Sequence, residues 1–291
     1  MDHEELLALV DERMRRGARP ESPAARVEHI GGVVRQSGPD SVWNGVLWSD
    51  LGTDTDTDTD TDTGPDTGPD TRTDGGARPA DRVIAEQIAY FTALGQDFEW
   101  TLYGHDRPAD LGDRLLAAGF TPDEPETLMV AEVAALLAGP AGTAAPGDAG
   151  ITLREVTDEA GVDEVVDVHE QAFGTDGSRL RRRILAHLAE SPDTLRVHLA
   201  LAEVDGREVP VSAARMELHP GTGFAGLWGG GTVEAWRGRG VYRALVAHRA
   251  RLADELGYEY LRVDASPQSR PILERLGFAA LTTATPYHYG G

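Results

Sequence analysis

The sequence predicts a mixed α/β (α+β) fold: a mostly antiparallel central sheet flanked by helices, in two related domains. Three observations predict it. Short apolar runs alternate with amphipathic helical stretches, and the second half reads β-α-α-β-β-β-α-β-α-β. A local plan occurs twice: Leu94-Gly-Gln-Asp-Phe-Glu-Trp-Thr-Leu-Tyr103 parallels Leu256-Gly-Tyr-Glu-Tyr-Leu-Arg-Val-Asp264. Each copy is followed by a short helix ending in Gly-Phe, at Gly119-Phe120 and Gly277-Phe278, as in a degenerate internal repeat. Finally, 291 residues suffice for two ordinary domains, and a small, flexible stretch with Pro140 and Pro146 lies near the middle. The expected division is 1–137, a linker at 138–150, and 151–291.

In the first half, Leu6, Leu7, Val10 and Met14 share one face of a helix from Glu4 to Arg16. Val27 to Arg35 reads as one strand and Ser41 to Leu51 as another, with a turn at Gly38-Pro39-Asp40. The Thr/Asp-rich insertion at 53–76 has no large apolar residue and reads as a disordered surface loop. Its two-residue period lacks the glycine and terminal glutamate of an EF-hand. A helix from Asp81 to Leu94, a strand from Phe98 to Tyr103, a helix from about Ala109 to Ala118 and a strand from Thr127 to Val133 complete this half. His105 and Asp106 have the composition of an acid–base pair. No nucleophile or cofactor loop accompanies them, so helix capping near Pro108 and Asp110 is the reading.

In the second half, Ile151 to Val156 is a strand, and Asp158 to Phe173 and Arg179 to Ala189 are helices. The loop Phe173 to Gly177 between those helices is placed to border a pocket. Asp205-Gly206 signals a hairpin between Leu195 to Val204 and Val209 to Leu218. Phe224 to Val233 is a strand, Val241 to Leu256 a helix closed by Gly257, and Tyr260 to Ala265 an apolar, central strand. Ser269 to Leu276 is a short helix, and Ala279 to Tyr289 reads as a closing strand pair.

Composition bounds the chemistry. The formal net charge is -22, and all 27 basic residues are arginine. That balance argues against nucleic acid and anionic membranes as partners, and suits an amine-bearing small molecule or peptide. There is no cysteine, so disulfides, thiolate metal sites and a cysteine nucleophile are excluded. No apolar run approaches the roughly 20 residues that span a bilayer, and the N-terminus lacks a signal-peptide pattern. A cytoplasmic monomer or homodimer is the expectation, with no metal.

The most informative stretch is Phe224 to Leu245. A hydrophobic run ends in glycines, a basic glycine-broken loop follows, and a helix begins at about Gly240. Free backbone N–H groups at a helix N-terminus seat phosphate oxygens. Gly-x-x-x-x-Gly-Lys-Ser/Thr is absent, and the loop Arg237 to Tyr242 does not carry Gly-x-Gly-x-x-Gly, so this loop fails the spacing of the P-loop and dinucleotide readings.

Arg237-Gly238-Arg239-Gly240-Val241-Tyr242 resembles the acyl-CoA loop of the GCN5-related N-acetyltransferase (GNAT) family, except that Tyr242 replaces a small residue. Asp264 to Phe278, ending Leu273-Glu-Arg-Leu-Gly-Phe278, resembles the family's next motif. The resemblance covers about 151–290, and the first half resembles the degenerate N-terminal domain of tandem members. It implies a GNAT-like acyl-CoA N-acyltransferase fold and transfer of the acetyl group of acetyl-CoA to a primary amine. It further implies that Thr232 and Val233 end the strand that pairs with the pantetheine arm, and that a backbone N–H near Val233 polarises the thioester. Arg237, Gly238, Arg239, Gly240, Val241 and Tyr242 would hold the pyrophosphate. Ser269 stands nearest the family's asparagine, and Leu273 occupies the position of its proton-donating tyrosine. For the base, Glu234 and Glu217 are the candidates, and Tyr287 is the candidate replacement acid. Trp228 reads as packing or as a pocket wall. The alternative is a non-catalytic acyl-CoA-binding protein on the same fold.

Overall fold

The computed structural model describes residues 2–52 and 79–290. The insertion read at 53–76 lies outside the described residues.

The chain opens with α1 (His3–Val10), capped by Asp2, whose side chain accepts from Glu5 N while Glu5 reaches back to Asp2 N. A π-helical segment, Asp11–Arg16, continues it, and Leu6, Val10 and Met14 make the shared buried face of this opening helix. The single strand expected from Val27 to Arg35 is two, β1 (Arg26–Ile30) and β2 (Val33–Ser37). Gly31 and Gly32 take φ of +57° and +80°, the left-handed pair that closes a two-residue hairpin. Next come β3 (Gly45–Ser49), α2 (Pro79–Leu94), β4 (Phe98–Tyr103), α3 (Leu111–Ala117), a short β5 (Thr121–Pro122), β6 (Glu126–Glu132) and α4 (Val133–Ala138).

The second half runs β7 (Ile151–Glu155), α5 (Glu159–Phe173), α6 (Ser178–Glu190), β8 (Leu195–Val204), β9 (Arg207–Leu218), β10 (Phe224–Thr232), α7 (Val241–Glu255), β11 (Tyr260–Ala265), α8 (Arg270–Leu276) and β12 (Ala279–Tyr289). Asp205, at φ +52°, and Gly206, at +75°, close the β8–β9 hairpin.

All strands join one sheet in the order β1-β2-β3-β4-β12-β6-β11-β10-β9-β8-β7, with β5 beside β12. Among the described strands only β3–β4 and β10–β11 are parallel. The order is quasi-symmetric about the β12–β6 pair. On one side β4, β3 and β2 follow; on the other, β11, β10 and β9. The repeat read in the sequence has matching joints: Gly95 and Gly257 take φ of +68° and +77°, and Gly119 and Gly277 take +97° and +108°. The phenylalanines that follow, Phe120 and Phe278, are both buried.

The closing strand pair is one long strand. β12 pairs with β6 through Ala279–Ala284 and with β4 through Ala284–Tyr289, with a register shift between Ala280 and Thr282. β6 in turn pairs with β11. Each half therefore lends its last strand to the other half's sheet. The sheet runs without a break across the two halves that the expected linker at 138–150 would divide.

Core packing follows the two faces. On one face α4, α7 and α8 bury Val246, Ala250 and Leu273 against Met216, Leu227, Leu261 and Met129. On the other, α5 and α6 bury Val162, Val165 and Ile184 against Val197, Leu199 and Ala213. α1 covers the seam between the halves, packing on Tyr103, Leu128, Phe224 and Tyr260. No helix among the described residues is long and apolar enough to cross a membrane.

Candidate active site

β10 and β11 begin in parallel and then part. Pairing covers only Phe224–Gly226 against Tyr260–Arg262. Beyond Gly226, β10 pairs with β9 alone, through a register shift between Trp228 and Gly231 where Gly229 takes φ of +58°. The stretch from Leu227 to Thr232 thus presents a strand edge with no strand on its β11 side. Such an edge offers N–H and C=O groups to an extended, amide-bearing molecule.

That edge leads into the glycine loop. A turn at Glu234–Trp236 is followed by Gly238, at φ +76°, and Gly240, at +85°, which serves as the N-cap of α7. Gly240 has no side chain to occupy the first-turn N–H groups of this 15-residue helix, which stay available to an anion. Arg239 lies over Trp236, its guanidinium carbon 4.5 Å from the ring centre.

Arg237 has another task. Its Nε donates to Thr232 O (3.0 Å) and its Nη2 to Ala172 O (2.8 Å), tying the end of β10 to the last turn of α5. Phe173 follows Ala172 and covers Gly231, where an added Cβ would come within 2.6 Å of the Phe173 ring. Tyr242, the departure from a small residue, lies against Gly230; a Cβ there would be 2.6 Å from the Tyr242 ring. Residue 230 leaves the room that the ring takes.

The expected N–H at Val233 does not face the cleft: it donates to Val211 O of β9 at 3.0 Å. Thr232 Oγ1 lies 2.9 Å from Ser212 Oγ, which also donates to Gly231 O. Val241 is buried in the core under α7. Ser269 sits in a turn with Ser266, the two hydroxyls 3.2 Å apart. Leu273 is fully buried.

The carboxylate candidates separate. Glu234 is exposed on the turn after β10. Glu217 pairs across β9–β10 with Gly226, and Gly226 pairs with Arg262, so these three share one row where the strands part. Tyr287 is not brought to the cleft. It pairs with Trp100 of β4, packs in the first half's core, and its hydroxyl would lie 2.7 Å from a Cβ on Gly112 of α3. The strand exchange is the reason, because it draws β12 towards the first half.

The structure adds residues that the sequence reading passed over. Arg262 Nη2 donates to Asp264 Oδ2 (2.5 Å) and to Tyr103 Oη (3.2 Å). Burial pulls the Arg262 guanidinium down, and Asp264 and Tyr103 more than offset it, so it stays firmly charged. Burial pushes the Tyr103 hydroxyl up to about 12. Burial, with Asp264 and Glu99 nearby, pushes the Glu126 carboxyl up to about 7. Arg262 Nε, Asp264 Oδ1 and Trp228 Nε1 are buried without a hydrogen-bond partner among the described residues. His219 Nε2 and Trp228 Nε1 close over Gly226, and burial pushes His219 down to about 4. Two charges alternating on an otherwise apolar strand, Arg262 and Asp264, were the available signal. Among the described residues, no group of three or more His, Asp or Glu is arranged to hold a metal ion.

His105 and Asp106 are structural, though not as helix caps. Asp106 receives Arg15 and Tyr103 N, and His105 Nε2 lies 2.7 Å from Asp11.

No family model matches the chain, and no curated protein matches it. Solved structures do. A GCN5-related N-acetyltransferase from Kribbella flavida matches with a TM-score of 0.57 at 18% identity, over 99% of this chain and 93% of that one. A tandem GNAT protein from the clavulanic acid biosynthesis pathway matches with a TM-score of 0.53 at 14% identity, over 98% of this chain and 92% of that one. A GCN5-related glucosamine N-acetyltransferase region of a fungal multi-domain β-N-acetylglucosaminidase matches with a TM-score of 0.54 at 11% identity, over 99% of this chain and 37% of that one. At these identities the likeness is one of fold: the chain has the GNAT fold.

Proposed function

We propose that this chain is an acyl-CoA-dependent N-acetyltransferase acting on a primary amine, with its active site in the second half. The observation that carries this reading is the parting of β10 and β11 after Gly226, whose open edge runs directly into the glycine loop and the uncapped start of α7. The cradle fits acetyl-CoA. Open-edge amides from Leu227 to Thr232 suit a pantetheine arm, and the first-turn N–H groups with Arg239 suit a pyrophosphate. Arg237 holds the loop in place by its bonds to Thr232 O and Ala172 O.

When bound, acetyl-CoA supplies the activated acyl carbon. Glu217, in the row of Gly226, is the carboxylate closest in register to the point of parting and takes one proton from the acceptor ammonium. The freed lone pair forms the new N–C bond as the C–S bond breaks, and the second amine proton leaves with sulfur as the CoA thiol. Glu234, exposed on the turn, serves neither step in this scheme.

A second reading, acyl-CoA binding without transfer, draws support from Leu273, which puts a buried aliphatic side chain where the family places its proton donor. Calorimetric titration with acetyl-CoA, followed by thiol release over a panel of primary amines, separates the cases. Binding with amine-dependent thiol release is the expected result. Binding without release across the panel supports the second reading, and no binding sinks both.

A further inference from the structure

The gap between β10 and β11 opens onto a sheet face rich in charge. Asp264 lies two residues beyond Arg262 on β11, and Trp228 two residues beyond Gly226 on β10, so the two flank the gap on one face of the sheet. Arg262 stands beside both: its Nη2 donates to Asp264, and its guanidinium carbon is 5.9 Å from the Trp228 ring centre. Asp264 pairs with Leu128 of β6, and Glu126 lies two residues from Leu128 on the same face. Glu126 and Asp264 are therefore diagonal neighbours on adjacent strands, within reach of one another's side chains. The strand exchange makes this arrangement, since β6 comes from the first half and β11 from the second.

Carboxylates on this face are not matched by cations. Glu126 is half-buried and has no hydrogen bond or ion pair among the described residues. Burial pushes its carboxyl up most, followed by Asp264, Glu99 and Asp123, and Arg262 opposes them least strongly. Arg262 is committed to Asp264 and Tyr103. Glu99 accepts from Trp43 Nε1 and the Thr101 hydroxyl, both neutral donors. Asp264 supplies a second, independent sign. Its side chain is 8% exposed, and its Oδ1 is buried with no hydrogen-bond partner among the described residues. An open acceptor next to an unpaired carboxylate is relieved by a cationic donor.

We propose that Glu126 and Asp264 hold the second ammonium of a dicationic acceptor, a primary diamine whose other nitrogen lies in the gap between β10 and β11. The assignment as acceptor site rests on the acyl-transfer reading above. β6 is the next strand after β11, so Glu126 stands about one and a half strand spacings from the middle of the gap, about 7 Å, the span of about four or five methylene groups between two nitrogens.

The test uses pairs that differ by one ammonium: putrescine with n-butylamine, and cadaverine with n-pentylamine. Binding of each to the full chain is measured by calorimetry and saturation-transfer NMR, without acetyl-CoA, at pH 6 and pH 8. At pH 8 at least one diamine should bind about five- to thirtyfold more tightly than its monoamine, as expected for a charge-assisted contact that water partly reaches. That preference should shrink at pH 6. Glu126 takes up a proton through about pH 7, while both amines stay charged across the window. Glu126→Gln should remove the preference and its pH dependence, and Glu124→Gln, on an exposed neighbour, should change neither. The pH comparison on the unaltered chain keeps the test available if Glu126→Gln fails to fold. Equal binding within both pairs, a preference that is the same at pH 6 and pH 8 or survives Glu126→Gln, or no binding by any of the four would overturn the proposal. Thiol release from acetyl-CoA keeps the two readings apart. A diamine preference without release leaves the ligand class standing and removes the transfer reading. Release that is equal for diamines and monoamines does the opposite.

Discussion

Arg15 and Asp106 meet fork to fork: Nη1 donates to Oδ1 at 2.9 Å and Nη2 to Oδ2 at 2.6 Å, and both side chains are only 2% exposed. Arg15 also donates to Leu47 O and Asp11, and lies over the Tyr103 ring at 3.9 Å. The pair joins the opening helix to the end of β4. Removing one partner leaves the other buried and charged. Asp106→Asn should therefore cost about 3–5 kcal/mol, read from urea unfolding. A loss below about 1 kcal/mol would show that water reaches the site.

Gly240 tests the loop by conformation rather than by volume. A Cβ there meets nothing nearer than Arg243 Nη2 at 3.6 Å, so space is not limiting. Its φ of +85° is the obstacle. Gly240→Ala should cost about 1–2 kcal/mol of stability. It should also weaken acetyl-CoA binding as the first turn of α7 shifts. Unchanged affinity in a folded variant would remove the loop from the site.

Arg237 and Arg239 should part company in salt. Arg237 is bound to two carbonyl oxygens, and Arg239 rests on Trp236 with its charge facing solvent. Arg239→Met should weaken acetyl-CoA binding about three- to tenfold at low ionic strength and flatten its salt dependence. Arg237→Met should weaken binding through loop disorder and leave the salt slope as it was. Identical slopes in the two variants would contradict this division.

How far the sequence reveals these features depends on whether each is local. The Leu-Gly joints at 95 and 257 and the Gly-Phe joints at 119 and 277 are legible because a left-handed glycine and a buried phenylalanine leave their mark within a few residues. The glycine loop is legible for the same reason. The exchange of β6 and β12 is not, because each strand's partners lie in the other half of the chain. That exchange moves Tyr287 out of the site and, with β4, brings Tyr103 to Arg262. The Val233 N–H is misplaced for a different reason: strand periodicity gives the alternation of faces, while the register shift before Gly231 decides which edge an N–H points to.

The last prediction concerns acid. His198 is 5% exposed on β8, and its ring meets that of His248 on α7 at 4.4 Å between centres. Burial, then His248, Arg249 and Arg196, pushes its imidazolium down to about 3. Burial lowers His248 as well, with Arg249 and Arg251 adding to it and Glu255 and Glu155 opposing. In the unfolded chain a histidine titrates near 6.5. Above that value both states hold His198 neutral and it has no effect on stability. Below it the unfolded chain takes a proton that the folded chain refuses, so stability falls as pH falls. From about pH 7.5 to about pH 5.5, His198 alone should remove about 1.4 kcal/mol. Carboxylates with ordinary values contribute little in that window. His198→Leu shifts the whole curve by its own packing change, so the diagnostic is the slope of unfolding free energy against pH. That slope should be shallower than in the parent chain by the His198 share. An unchanged slope would mean that the folded protein accepts the proton, and that the His198–His248 contact opens to water.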